Sequence, residues 1–110
     1  MTVKKIGKVN FLELFHGPTL AFKDIAMQVI GNMYDYLKVA KKRTVNILVA
    51  TSGDTGSAAI AALNDRENIN LFVLHPHNKI SNVQRKIMTT ICSNNIYNLA
   101  IKASFDDFPT

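Results

Sequence analysis

The chain has 110 residues, 47% of them hydrophobic and 19% charged, with a formal net charge of +5. That balance suits one packed core and excludes a disordered tail, a collagen-like repeat and a disulfide-stapled miniprotein. The single cysteine, Cys92, forms no internal bridge and no multi-cysteine metal site, and it is expected to pack as a small apolar residue on a helix. No apolar run approaches the ~20 residues that cross a bilayer. Lys4, Lys5 and Lys8 precede no apolar signal core. The expectation is a cytoplasmic α/β protein with no membrane segment and no metal.

The positive charge points to an anionic partner. The densest basic run, Lys38, Lys41, Lys42 and Arg43, reads as the C-terminal end of a helix, where the macrodipole favours cations. No aromatic residues interleave with it, so nucleic acid is the weaker reading and a small phosphorylated ligand the better one.

The predicted elements alternate along the chain. Phe11, Leu12, Leu14 and Phe15 form a short apolar segment that His16-Gly17-Pro18 stops. From Asp24 to about Lys41 the period becomes helical, with Ile25, Val29, Met33 and Leu37 four apart on one expected core face. Val45 to Ala50 (VNILVA) reads as a strand covered on both sides, and a helix-forming stretch runs from Ser57 to Leu63. Ile69 to Leu74 is a second strand, ended by His75-Pro76; these histidines lack ligand partners at metal-site spacing. Ser81 caps a third helix, Ile96 to Ile101 is a third strand, and Asp106-Asp107 opens another helix. Strand, helix, strand, helix, strand predicts parallel βαβ units: a small doubly wound parallel sheet with helices on both faces, in one domain spanning residues 1–110.

Two loops carry candidate chemistry. Lys23 follows a turn and Phe22 at the start of a predicted helix, where the positive dipole end disfavours an ammonium and favours the neutral amine of Schiff-base chemistry. The plain alternative is a surface lysine beside Asp24. The second loop, Thr51-Ser52-Gly53-Asp54-Thr55-Gly56, lies between a strand and a helix, at the edge where open α/β sheets bind ligands. Its glycines permit close backbone approach, Ser52 and Thr55 offer hydroxyls, and the following helix offers N–H groups to an anion. It lacks the G-x-x-x-x-G-K-S/T pattern of nucleotide triphosphatases and the spacing of the dinucleotide fingerprint. The plain alternative is a turn in which Asp54 or Thr55 caps the helix.

Glu13-Leu14-Phe15-His16-Gly17-Pro18-Thr19-Leu20-Ala21-Phe22-Lys23-Asp24, followed by Ala50 to Gly56, resembles the threonine synthases. These belong to the pyridoxal-phosphate (PLP) family that includes cysteine synthase and the tryptophan synthase β subunit. Pro76 to Thr90 and Phe105-Asp106-Asp107 extend the resemblance over nearly the whole chain. The resemblance implies a PLP Schiff base on Lys23, with Phe22 packed near the cofactor. It implies that Ser52, Gly53 and Asp54 lie beside the cofactor ring, and that Thr51, Ser52, Gly53, Asp54 and Thr55 hold the substrate's carboxylate. Lys79, after the second strand, is a candidate for the substrate phosphate. The implied reaction converts O-phosphohomoserine and water to threonine and phosphate.

Many relatives have Asn where this chain has Asp54, so no single role attaches to that residue. The family's PLP-phosphate loop and pyridine-nitrogen partner have no counterpart in this sequence. The resemblance therefore implies a fragment of a larger two-domain enzyme, inactive alone, whose missing remainder leaves apolar surface that favours oligomerisation. Two other readings stay open at this point. One is a related PLP-dependent phospho-lyase; the other is a non-catalytic α/β module that binds a small anion or a partner chain.

Overall fold

The apolar runs VNILVA, INLFVL and IYNLAI become adjacent strands of one parallel sheet, because each is followed or preceded by a helix that returns the chain to the same edge. In a computed structural model, residues 1–41, 43–77 and 79–102 are described, those from 38 to 41 for the backbone only. The elements in chain order are β1 (Thr2–Ile6), β2 (Val9–Glu13), α1 (Lys23–Lys41), β3 (Val45–Ala50), α2 (Asp54–Leu63), β4 (Ile69–Pro76), α3 (Asn82–Thr90) and β5 (Ile96–Ile101). The sheet order is β3-β4-β5, with Val45 opposite Ile69 and Leu71 opposite Ile96. The expected third helix starts at its Ser81 cap, and the mixed α/β class with a parallel sheet is as the sequence predicts.

Ile69, Leu71 and Val73 of β4 are fully buried against Ile60 and Leu63 of α2 and Met88 of α3. Burying side chains of this size stabilises by about 1.5–3 kcal/mol each. Gly56 lets α2 close on the sheet, since a Cβ there would lie 3.1 Å from Val73 Cγ1 and 3.0 Å from Met88 Sδ. At the opposite edge, Asn95 Nδ2 donates to the carbonyls of Leu63 (2.9 Å), Ile69 (3.0 Å) and Arg66 (3.3 Å), and its Oδ1 accepts from Asp65 N (3.1 Å).

Among the described residues the helices lie on one face of the sheet, where two helical layers were expected. Strands in sequential order joined by right-handed crossovers put every crossover helix on the same side. The other face carries exposed Leu48, Tyr97 and Leu99, with Phe72 stacked on Tyr97 at 4.8 Å between centroids.

Helix α1 packs through a different stripe from the expected one. Met27 and Tyr34 face the core and Gly31 is buried, whereas Val29, Met33 and Leu37 are exposed. Gly31 decides this: a Cβ there would lie 3.0 Å from the Arg66 guanidinium, which donates to Asn32 Oδ1 at 3.0 Å and pairs with Asp35.

The antiparallel hairpin β1–β2 was not predicted. Its two-residue turn places Gly7 at φ +61, the first-position glycine of a type II′ turn. Two further expectations need correction. His75 lies within β4 and is buried, and Cys92 is exposed beyond the end of α3. The helix expected at Asp106-Asp107 lies outside the described residues.

Candidate functional site

Both α1 and α2 begin at the edge of the sheet where the strands end. Helix α2 leaves the C-terminal end of β3, while α1 enters the N-terminal end of β3. Arg66, just past α2, reaches Asn32 and Asp35 on α1. Lys23 stands 9 to 12 residues before that contact, about 14–18 Å along the helix, and α2 is about as long, so both helix starts lie level with the ligand edge. The two loops singled out in the sequence therefore share one edge.

Lys23 is the first residue of α1 and half-buried, with Nζ 5.8 Å from the centroid of the exposed Phe22 ring. Asp24 is not its counter-ion. That carboxylate is buried and accepts from Thr19 N at 2.9 Å and Thr19 Oγ1 at 2.5 Å. Gly17 makes room for it, since a Cβ at that position would lie 2.6 Å from Asp24 Cβ. Asp24 thus closes the turn that precedes α1, and Lys23 has no ion-pairing carboxylate among the described residues. His16 is tied elsewhere, 2.6 Å from Glu13 Oε2. Glu13 also pairs with Lys4 at 2.7 Å, and Lys4 first, then His16, hold its carboxyl below the ordinary range.

The loop from Thr51 to Gly56 is braced from within. Thr51, expected among the ligand donors, is 2% exposed; its Oγ1 accepts from Gly53 N at 3.0 Å and from Gly56 N at 2.9 Å. Thr51 therefore does the capping that the plain reading gave to Asp54 or Thr55, and the N-cap Gly53 supplies no side chain. Of the first N–H groups of α2, those of Asp54 and Thr55 have no acceptor among the described residues. Open N–H groups at the positive end of a helix favour negative charge nearby. Ser52 is exposed beside them, and Thr55 is half-buried.

Gly53 has φ +141, a conformation that favours glycine. The space over its Cα belongs to Gln84, whose side-chain amide atoms would lie 2.5–2.8 Å from a Cβ there. Gln84 Nε2 also donates to Asp54 Oδ1 at 2.6 Å. The sequence reading missed Gln84. The signal was available in Ser81-Asn82-Val83-Gln84, the S-x-x-Q pattern of a capping box, which the structure forms in full. Lys79 is exposed in the loop between β4 and α3, at the same sheet edge.

An amine at one helix start and open N–H groups at the next lie toward the carboxyl edge of a parallel sheet, the edge at which open α/β sheets take ligands. No protein-family model matches the chain. Over nearly its whole length it matches a segment of threonine synthases. The Pseudomonas aeruginosa threonine synthase is 54% identical over 101 residues, covering 92% of this chain and 22% of that protein. The Methylobacillus glycogenes threonine synthase is 47% identical over 106 residues, 96% of this chain and 22% of the relative. The crystal structure of PLP-bound threonine synthase from Brucella melitensis superposes with a TM-score of 0.89 at 44% identity, over 96% of this chain and 23% of that one. The Escherichia coli threonine synthase structure gives a TM-score of 0.79 at 42% identity, over 96% of this chain and 24% of that one. The chain spans under a quarter of the length of these relatives.

Proposed function

We propose that this chain is the part of a cytoplasmic threonine synthase that carries the cofactor lysine and the substrate-carboxylate loop, within the smaller α/β domain of a two-domain enzyme. The complete enzyme converts O-phosphohomoserine and water to threonine and phosphate. One observation carries the reading: Lys23, with no carboxylate partner among the described residues, starts its helix toward the same sheet edge as two helix N–H groups that have no acceptor among them. Sequence identity of 54% to a threonine synthase over 92% of the chain supports it.

The residues present fit PLP. A half-buried primary amine suits its aldehyde, and the exposed Phe22 ring gives the cofactor an apolar neighbour. PLP bound there supplies an electron sink for charge developing on the substrate's carbons. Lys23 Nζ takes and returns the proton at the substrate's α-carbon. The N–H groups of Asp54 and Thr55, with the Ser52 hydroxyl, hold the carboxylate and fix the orientation of that carbon. Lys79 supplies positive charge toward the phosphate end.

The test is borohydride reduction of the complete, PLP-loaded polypeptide followed by peptide mapping. The label is expected on Lys23, and label on Lys4 or Lys79 with Lys23 unmodified overturns the reading. Lys23→Ala should abolish turnover while leaving the fold intact. The 110-residue chain alone should release no phosphate from O-phosphohomoserine, because the remaining cofactor contacts of this family have no counterpart in its sequence.

A further inference from the structure

Asp54 places a carboxylate in the loop proposed to receive the carboxylate of the substrate. Left free, it would compete for the Asp54 and Thr55 N–H groups and repel the ligand. The structure gives that carboxylate another partner, the side-chain amide of Gln84, 30 residues further along the chain.

Gln84 is held from both sides. Its Oε1 accepts from Ser81 Oγ at 3.1 Å and faces Ser81 N at 3.4 Å, and its own backbone N–H donates to Ser81 Oγ at 3.1 Å. With the oxygen committed to two donors, the amide has one orientation, and its NH2 group must face Asp54. The amide also lies directly over Gly53, where only a residue without Cβ leaves it space.

We infer that Gln84 is a positioning residue: it holds the Asp54 carboxylate against α3, keeping the α2 N–H groups open for the substrate, and it locks the anion loop to the β4–α3 loop. The inference rests on the proposed role of the Thr51–Gly56 loop. It accounts for a glutamine at this position, because a capping box accepts Glu equally well but only the amide both accepts from Ser81 and donates to a carboxylate.

The test uses the complete, PLP-loaded polypeptide. Gln84→Glu preserves the capping box but sets a carboxylate against Asp54. It should raise KM for O-phosphohomoserine about ten- to a hundredfold, the span of one hydrogen bond to a charged group, with kcat within about threefold. Adding Asp54→Asn restores the bond with donor and acceptor exchanged, and KM should return to within about threefold of the parent. A second pair reads the same coupling without a charge clash: Gln84→Ala frees the Asp54 carboxylate and should raise KM, Asp54→Ala alone should leave KM within about threefold, and adding it to Gln84→Ala should bring KM back toward the parent. If Gln84→Glu changes only the melting temperature, if Asp54→Asn restores nothing, or if the alanine effects add, the role of Gln84 is overturned. Failure of the underlying reading looks different: reduction would then leave Lys23 unmarked in the parent polypeptide.

Discussion

Between β3 and β5 the apolar side chains of the helix-facing layer find partners within the described chain. Ile60, Leu71, Val73 and Met88 are each fully buried. The hairpin, the segment after it and the outer stripe of α1 also carry large apolar side chains, yet Phe11, Phe15, Val29 and Met33 are all more than half exposed. For these side chains the difference is one of partners. The same side chain contributes its transfer free energy only where a second surface removes it from water, and the first third of this chain presents apolar surface that the rest of its described residues do not cover.

Mutations matched across the two regions can break that comparison. Leu71→Ala should show the largest effect, about 2–5 kcal/mol from lost transfer energy plus the cavity left between α2 and the sheet, measured by denaturant unfolding of the chain. Val29→Ala removes a similar group from α1 and should change the stability of the same chain by no more than about 0.5 kcal/mol. If the two losses are equal, Val29 has a partner and the contrast fails. Repeating Val29→Ala in the complete polypeptide sharpens it, since a loss well above that bound there would show that the remaining sequence covers this stripe.

The smallest expected effect is local and depends on pH. Lys4 first, then His16, keep the Glu13 carboxyl below its ordinary value of 4.5. A carboxyl depressed in the folded state stabilises above its unfolded value, and that stabilisation fades as pH falls through the folded value. Amide protection, taken relative to the intrinsic exchange rate at each pH, should therefore fall in β1 and β2 below about pH 4.5 while that of β3 to β5 is unchanged, and Lys4→Ala should flatten the dependence.

The contrast also explains what the sequence made legible. The parallel strands and their helices were readable because each buried run is bounded by a turn and followed by helix-forming residues. Lys23 and the Thr51–Gly56 loop were readable because a strand-to-helix junction defines which edge they occupy. The packing stripe of α1 was not: periodicity marks Ile25, Val29, Met33 and Leu37 as the most apolar row, but the neighbour is chosen by Gly31, which admits Arg66. The hairpin escaped because its exposed Lys4 and Lys5 break the apolar run, and its pairing depends on a turn at Gly7-Lys8. Gln84 escaped because its partner, Asp54, lies on another element. Local pattern gives the elements, and their pairings belong to the fold.

Asn95 has a consequence for how the sheet comes apart. Its side-chain amide, just before β5, shares two N–H groups among three carbonyls in the turn from α2 into β4. Backbone carbonyls of a packed turn need a bonding partner, so part of the bonding of this turn forms only when the segment leading into β5 is in place. Peeling β5 from its edge should therefore loosen the turn beneath α2, and the two should lose amide protection together.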